Sequence, residues 1–183
     1  MDPVSTALRL MFRLVVRSGL RGVWLRGELP EGAFVWAANH HSWWDAFAPG
    51  ALLWSRGRRA VLLMDEANLH RHGYLRRVGV LGTHEMRAAL RALRAGQVVM
   101  IFPEGELRPP GGVAYVHPGA GWLAAKARVP LLAAATRVVT RGHQLPELYL
   151  DVRLTQPEDL RETLNRGLAA IDREVACCDP REP

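Results

Sequence analysis

Apolar positions along the chain follow two rhythms, short unbroken runs and residues spaced three or four apart. The alternation of the two predicts the architecture. Ala33 to Ala37, Ala60 to Met64, Val78 to Gly82, Gln97 to Phe102, Leu131 to Thr140 and Leu148 to Leu154 read as strands. Gly22 to Gly27 is a shorter strand closed by a Leu29-Pro30-Glu31-Gly32 turn. Helical spacing occupies Trp43 to about Trp54, Glu85 to Ala95 and Ala120 to Ala127. Near the C-terminus Leu160, Leu164, Leu168, Ile171 and Val175 trace one stripe, behind Thr155-Gln156-Pro157-Glu158 with the letters of a capping box. Leu69 to Arg77, carrying His70 and His72, reads as a polar, basic connector. Strands alternating with helices of about ten residues predict an α/β fold, with a largely parallel central sheet flanked by helices. That single domain spans 22–178, preceded by an N-terminal helix over 1–21 and followed by a short tail, 179–183.

The N-terminal helix has its own pattern. Arg9, Arg13, Arg17 and Arg21 recur every fourth residue, and Leu8, Met11, Phe12 and Val15 keep the spacing of an apolar face. Two readings are open: a basic amphipathic helix at a membrane interface, or a surface helix packing on the protein's own core. Arg13 and Arg17 interrupt the hydrophobic region that a signal peptide would need.

Composition narrows the partners. At 183 residues with 49% hydrophobic and 23% charged residues, the chain is too apolar for disorder and can build a sizeable core. A net charge of +6 favours anionic partners, a membrane surface or a phosphate-bearing molecule. Nucleic acid is not expected, because the charge is spread out and the aromatic residues form no platform. Cys177 and Cys178 are the only cysteines, adjacent and unable to frame a disulfide scaffold or a zinc site, so a reduced compartment is the default.

Candidate chemistry concentrates where two apolar runs end. The first closes into Asn39-His40-His41-Ser42-Trp43-Trp44-Asp45, the second into Pro103-Glu104-Gly105 after Phe102. Histidine is the commonest general base near neutral pH, and a carboxylate within reach fixes its tautomer. His40 and Asp45 are 500° apart on one continuous helix, so they meet only if His40 lies in the turn and Asp45 in the first helical turn. Ser42-x-x-Asp45 is equally a capping box, in which Asp45 does no more than hold a helix end. In open α/β sheets ligands sit beyond the carboxyl ends of the strands, which would place both segments in one crevice. Gly105 would allow close approach there, and Glu104 could accept hydrogen bonds from a hydroxyl-rich molecule.

Together these segments resemble the phospholipid/glycerol acyltransferase superfamily. Its first block is N-H-x-x-x-x-D, met here as Asn39 to Asp45, and its third F-P-E-G, met as Phe102-Pro103-Glu104-Gly105. Val129-Pro130-Leu131-Leu132 is similar to its fourth block. The resemblance implies acyl transfer from a thioester, acyl-CoA or acyl carrier protein as co-substrate, to a lipid hydroxyl. No other cofactor and no metal are implied. His40 and Asp45 would be the catalytic pair, supported by Asn39, Ser42, Phe102 and Pro103. Glu104, Gly105, Arg108, Arg87 and His84 would meet the acceptor, lysophosphatidic acid or another lysolipid or glycolipid. The setting implied is the cytoplasmic face of a bacterial-type membrane, with peripheral contact. Two departures bear on the acceptor: His84 and Glu85 stand where the second block has an arginine, and Arg108 is one residue later than the family's arginine after F-P-E-G. Other readings are a catalytically silent lipid-binding protein on this fold and a metal-dependent hydrolase using His40, His41 and Asp45.

Overall fold

The computed structural model describes residues 3–177; Cys178 and the expected tail 179–183 lie outside the described residues. Helix α1 (Pro3–Gly19) leads into β1 (Gly22–Arg26), and β2 (Val35–Ala38), α2 (Trp44–Ser55) and β3 (Ala60–Met64) follow. Next come α3 (Glu66–Arg71), a 3-10 helix (Gly73–Val78), β4 (Val80–Gly82), α4 (Met86–Arg94) and β5 (Val98–Ile101). The chain continues through α5 (Gly119–Ala127), β6 (Leu131–Val139), β7 (Glu147–Thr155) and α6 (Leu160–Cys177).

The strands form one sheet in the order β1-β7-β6-β2-β5-β3-β4. Every neighbouring pair is parallel except β6 with β7. β2 lies between β5 and β6, and all four of its residues are buried, as expected of a parallel strand covered on both faces. Val35 and Ala37 pack with Leu93 of α4, Leu123 of α5 and Leu164 of α6. Trp36 and Ala38 pack on the other face with Val16 of α1 and Ala48 and Leu53 of α2. The three-layer arrangement follows directly from those two apolar faces. α6 lies so close to β6 that a Cβ added at Gly167 would stand 2.6 Å from the Cβ of Ala135.

Three local expectations are corrected. The connector over 69–77 is largely helical, because Asp65 caps α3 by accepting from the Ala67 and Asn68 amides and the 3-10 helix follows at once. The strand expected from Val78 begins at Val80, after Gly79 turns the chain at φ 99°. The last helix begins at Leu160, since the Thr155 hydroxyl meets Thr163 at 3.0 Å instead of capping a first turn.

α1 packs one side on the protein's own core and leaves apolar residues exposed on another. Ser5, Phe12 and Val16 are buried against the protein, whereas Val4, Leu10, Met11, Leu14 and Val15 form a second, exposed apolar face. Arg13 and Arg17 lie between these faces. Among the described residues no helix is long and apolar enough to cross a membrane.

Candidate active site

β2 ends at Ala38, and the next five residues turn over the carboxyl edge of the sheet into α2. Asp45, in the first turn of α2, organises that passage. Its Oδ2 accepts from the His41 and Ser42 amides, both at 2.7 Å, and its Oδ1 accepts from the Thr136 hydroxyl at 2.9 Å. The Ser42 hydroxyl accepts from the Trp44 amide at 3.2 Å, so Ser42 and Asp45 hold the helix start reciprocally. Asp45 also faces His40, with Nδ1 3.5 Å from Oδ2. That contact is longer than a good hydrogen bond. It directs the Nδ1 proton toward the carboxylate and leaves Nε2 on the open side. His40 keeps 22% of its side chain exposed and Asp45 only 1%.

β5 supplies the opposite wall. Phe102 stacks on the His40 imidazole with centroids 4.1 Å apart and planes 14° from parallel. Glu104 turns inward, its Oε1 accepting from the His40 amide at 2.8 Å. The Arg108 amide donates to the His40 carbonyl at 2.8 Å, so the segment after β5 holds His40 from both sides. Gly105 adopts φ 80°, a left-handed conformation that suits glycine, with the His117 ring against it. The Pro103 carbonyl accepts from the His117 amide at 2.7 Å, which brings His117 in.

β6 locks the base of the site. Asn39 is fully buried; its Oδ1 accepts from the Thr136 amide at 2.7 Å, and its amide nitrogen donates to the Thr136 carbonyl at 3.1 Å. Behind His40, His41 is nearly enclosed. Its Nδ1 lies 2.9 Å from Arg137 Nη1 and 3.2 Å from the Asn39 amide nitrogen. Two donors face that nitrogen, so it accepts, and the proton of the neutral ring sits on Nε2. Nε2 has no hydrogen-bond partner among the described residues and lies 3.7 Å from Glu104 Oε1. Burial pushes the His41 pKa below the ordinary histidine value; Glu104 opposes this and Arg137 adds to it. Arg137 extends the network by donating to Asp172 of α6 and to the Gly111 carbonyl.

A cleft of about 650 Å3 opens at His40. Its inner walls are apolar, including Phe12 of α1, Phe47 and Trp54 of α2, Leu62 of β3 and Val80 of β4. The exposed part of the lining includes polar groups, Glu106, His117, Thr83 and Asn68. Among the described residues, no group of three His, Cys, Asp or Glu side chains is arranged to hold a metal ion.

The remaining sequence candidates divide. His40, Asp45, Asn39, Ser42, Phe102, Pro103, Glu104 and Gly105 come together at this edge of the sheet. Arg108 reaches the site through its backbone, while its guanidinium pairs with Glu106. His84 pairs with Glu66 on the surface, and Arg87 is exposed on α4; neither lines the cleft. Sequence reasoning missed Thr136, Arg137 and His117. The first two carried a readable signal, since Thr136-Arg137 interrupts an apolar run much as Asn39-His40 ends one. His117 carried none.

Residues 23–137 match the sequence profile of the family described as Acyltransferase. The chain belongs to the acyltransferase family. As an acyltransferase it also has a similar solved structure, the 1-acyl-sn-glycerophosphate (LPA) acyltransferase PlsC from Thermotoga maritima. The two share 18% identity and a TM-score of 0.66, over 96% of this chain and 80% of that one. At that identity the likeness carries the fold: a mostly parallel sheet between helices, preceded by an N-terminal helix. No curated protein matches the chain.

Proposed function

We propose that this acyltransferase moves a fatty acyl group from a thioester, acyl-CoA or acyl carrier protein, to the hydroxyl of a lipid acceptor at a membrane surface. The observation that carries the reading is the position of His40, at the polar mouth of a cleft whose depth is apolar. A fatty chain fits such walls by the hydrophobic effect, leaving its polar thioester end beside the histidine.

In this reading His40 Nε2 removes the proton from the acceptor hydroxyl as the oxygen attacks the thioester carbonyl. Asp45 steadies the imidazolium that results and keeps it from rotating, as a triad carboxylate does. The carbon–sulfur bond then breaks, His40 returns the proton to the leaving thiolate, and ester and free thiol are the products. Phe102 stacked on the imidazole, together with Glu104 and Arg108 on its backbone, limits the motion of the base. Such positioning supports direct transfer without a covalent enzyme intermediate.

α1 links this chemistry to a membrane. Phe12 on its inner face lines the cleft, and the outer face presents Leu10, Leu14 and Val15 beside Arg13 and Arg17. An interfacial helix of that composition would bury its apolar outer face among acyl chains and set its arginines among anionic headgroups. Acceptors already in the bilayer, lysophosphatidic acid or another lysolipid or glycolipid, would then reach His40 without crossing water.

The test is thiol release from an acyl thioester by the purified protein in lipid micelles, with and without acceptor, beside His40→Ala. Release that needs both acceptor and His40 is expected. A folded protein that binds lipid yet releases no thiol with either class of donor would favour a silent lipid-binding role instead.

A further inference from the structure

We infer that the acceptor presents its reacting hydroxyl on an uncharged or cationic headgroup rather than on a phosphate monoester. The inference rests on the acyl-transfer reading of the same cleft and concerns only its polar mouth. Two carboxylates lie in the lining, Asp65 and Glu106, among neutral hydrogen-bonding groups such as Asn68 and Thr83. Leu107, 58% exposed, adds an apolar surface where the cleft opens beyond Gly105. Among the described residues the lining contains no arginine or lysine.

Three cations close to this mouth in the chain already have an acid partner. Arg108 pairs with Glu106, and His84 pairs with Glu66. Arg76 donates to Glu85 at 2.8 Å, and Glu85 is held in turn by the Gly82 amide at 2.7 Å. A phosphate monoester carries close to two negative charges and is bound best by the paired donors of a free guanidinium. Here it would meet the Glu106 carboxylate on the cleft side, with Arg108 neutralised behind it, and like charges repel. A neutral polyol meets the opposite situation. Its hydroxyls can donate to Glu106 and exchange hydrogen bonds with Asn68 and Thr83, and an ammonium would be drawn to the same carboxylates. The Glu106–Arg108 pair is exposed on both sides, so it selects by charge rather than by rigid fit.

The deciding experiment measures acceptor-dependent, His40-dependent thiol release by the full chain. The acceptors share one acyl chain: lysophosphatidic acid, a monoacylglycerol, a monoacyl glycosylglycerol and a phosphate-free amine-bearing lysolipid. Acyl-CoA and acyl carrier protein are each used as donor. One of the phosphate-free acceptors is expected to exceed lysophosphatidic acid in kcat/KM by about tenfold or more. Glu106→Arg should narrow that ratio by raising use of lysophosphatidic acid. Lysophosphatidic acid used as well as or better than the others overturns the inference, as does a ratio that Glu106→Arg leaves unmoved. Absence of His40-dependent release with every acceptor and both donors removes the acyl-transfer reading itself, and the inference with it.

Discussion

At the scale of single residues, the two oxygens of Asp45 serve four neighbours: Thr136, the His41 and Ser42 amides, and His40. The capping role of this aspartate and the catalytic role proposed for it are one arrangement, in which the grip that shapes the turn also aims a carboxylate at His40. His41 supports the arrangement from behind. Removing its ring in His41→Ala takes one acceptor from Arg137 Nη1 and from the Asn39 amide nitrogen and leaves Glu104 with empty space on one side. We expect kcat to fall about tenfold, worth about 1.4 kcal/mol, with little change in KM. His41→Asn should restore much of the rate by offering Arg137 an oxygen. The same histidine gives stability a pH dependence. Its folded pKa is depressed, so on acidification below the ordinary value of about 6.5 the unfolded chain takes up a proton that the buried ring resists. The stability contributed by neutral His41 is present above that pH and is lost as the pH falls toward the folded pKa. Urea unfolding between about pH 5 and 8 should show this acid-side loss in the wild type and a flatter profile in His41→Asn.

Among the elements, those that form the core were the legible ones. β2, β5 and the first five residues of β6 are covered on both faces, and a strand segment in that position is apolar, which is the pattern the chain carries. The six-residue α3 and the 3-10 helix behind it are too short for a helical period to rise above their polar composition. The start of α6 was misplaced because the Thr155 hydroxyl satisfies Thr163 rather than the helix end. α1 shows the limit of reading a helix from the spacing of its apolar residues, since it has two apolar faces, of which the inner is buried and the outer exposed. The outer face can be tested without disturbing the inner one. Leu10→Ser combined with Leu14→Ser, each removing up to about 2 kcal/mol of apolar burial, should weaken sedimentation with anionic vesicles at least tenfold. Circular dichroism and melting temperature should stay near the wild type. Unchanged sedimentation would move the membrane contact elsewhere, for instance to Trp43, which is 70% exposed.

Across the whole molecule, the sheet order places β2 between β5 and β6 and so brings residues 39–45, 102–105 and 136–137 to a single edge. Two of those segments announced themselves as polar residues ending apolar runs. The third shows as a polar pair inside an apolar run, but nothing local ties Thr136 to Asn39, 97 residues earlier. The side chains of His84, Arg87 and Arg108 were expected at the acceptor from the family resemblance, and a position in a motif does not tell which neighbours a surface cation will meet. A second network secures the antiparallel side of the sheet. Glu147 at the start of β7 is fully buried and accepts from Arg21, Arg141 and Tyr149. Burial, the largest influence, would raise its pKa, but the hydrogen bonds from Tyr149, Arg21 and Arg141 together outweigh it and the net shift is downward. Its contribution is therefore present above the ordinary carboxylate value of about 4.3 and is lost as the pH falls through the folded pKa. Glu147→Ala should cost about 2 kcal/mol or more. That is less than the 3–5 kcal/mol of a wholly buried pair, because Arg21 remains partly exposed. Thermal melts at neutral pH would read the loss directly, with acyl transfer little affected below the melting temperature.

The central claim is that His40 is the general base of an acyl transfer, and acceptor-dependent thiol release by wild type and His40→Ala tests it most directly. The prediction is robust release by the wild type only with acceptor present, and a loss of at least about a hundredfold in a His40→Ala variant that melts like the wild type. A folded His40→Ala protein that releases thiol at the wild-type rate would contradict the account.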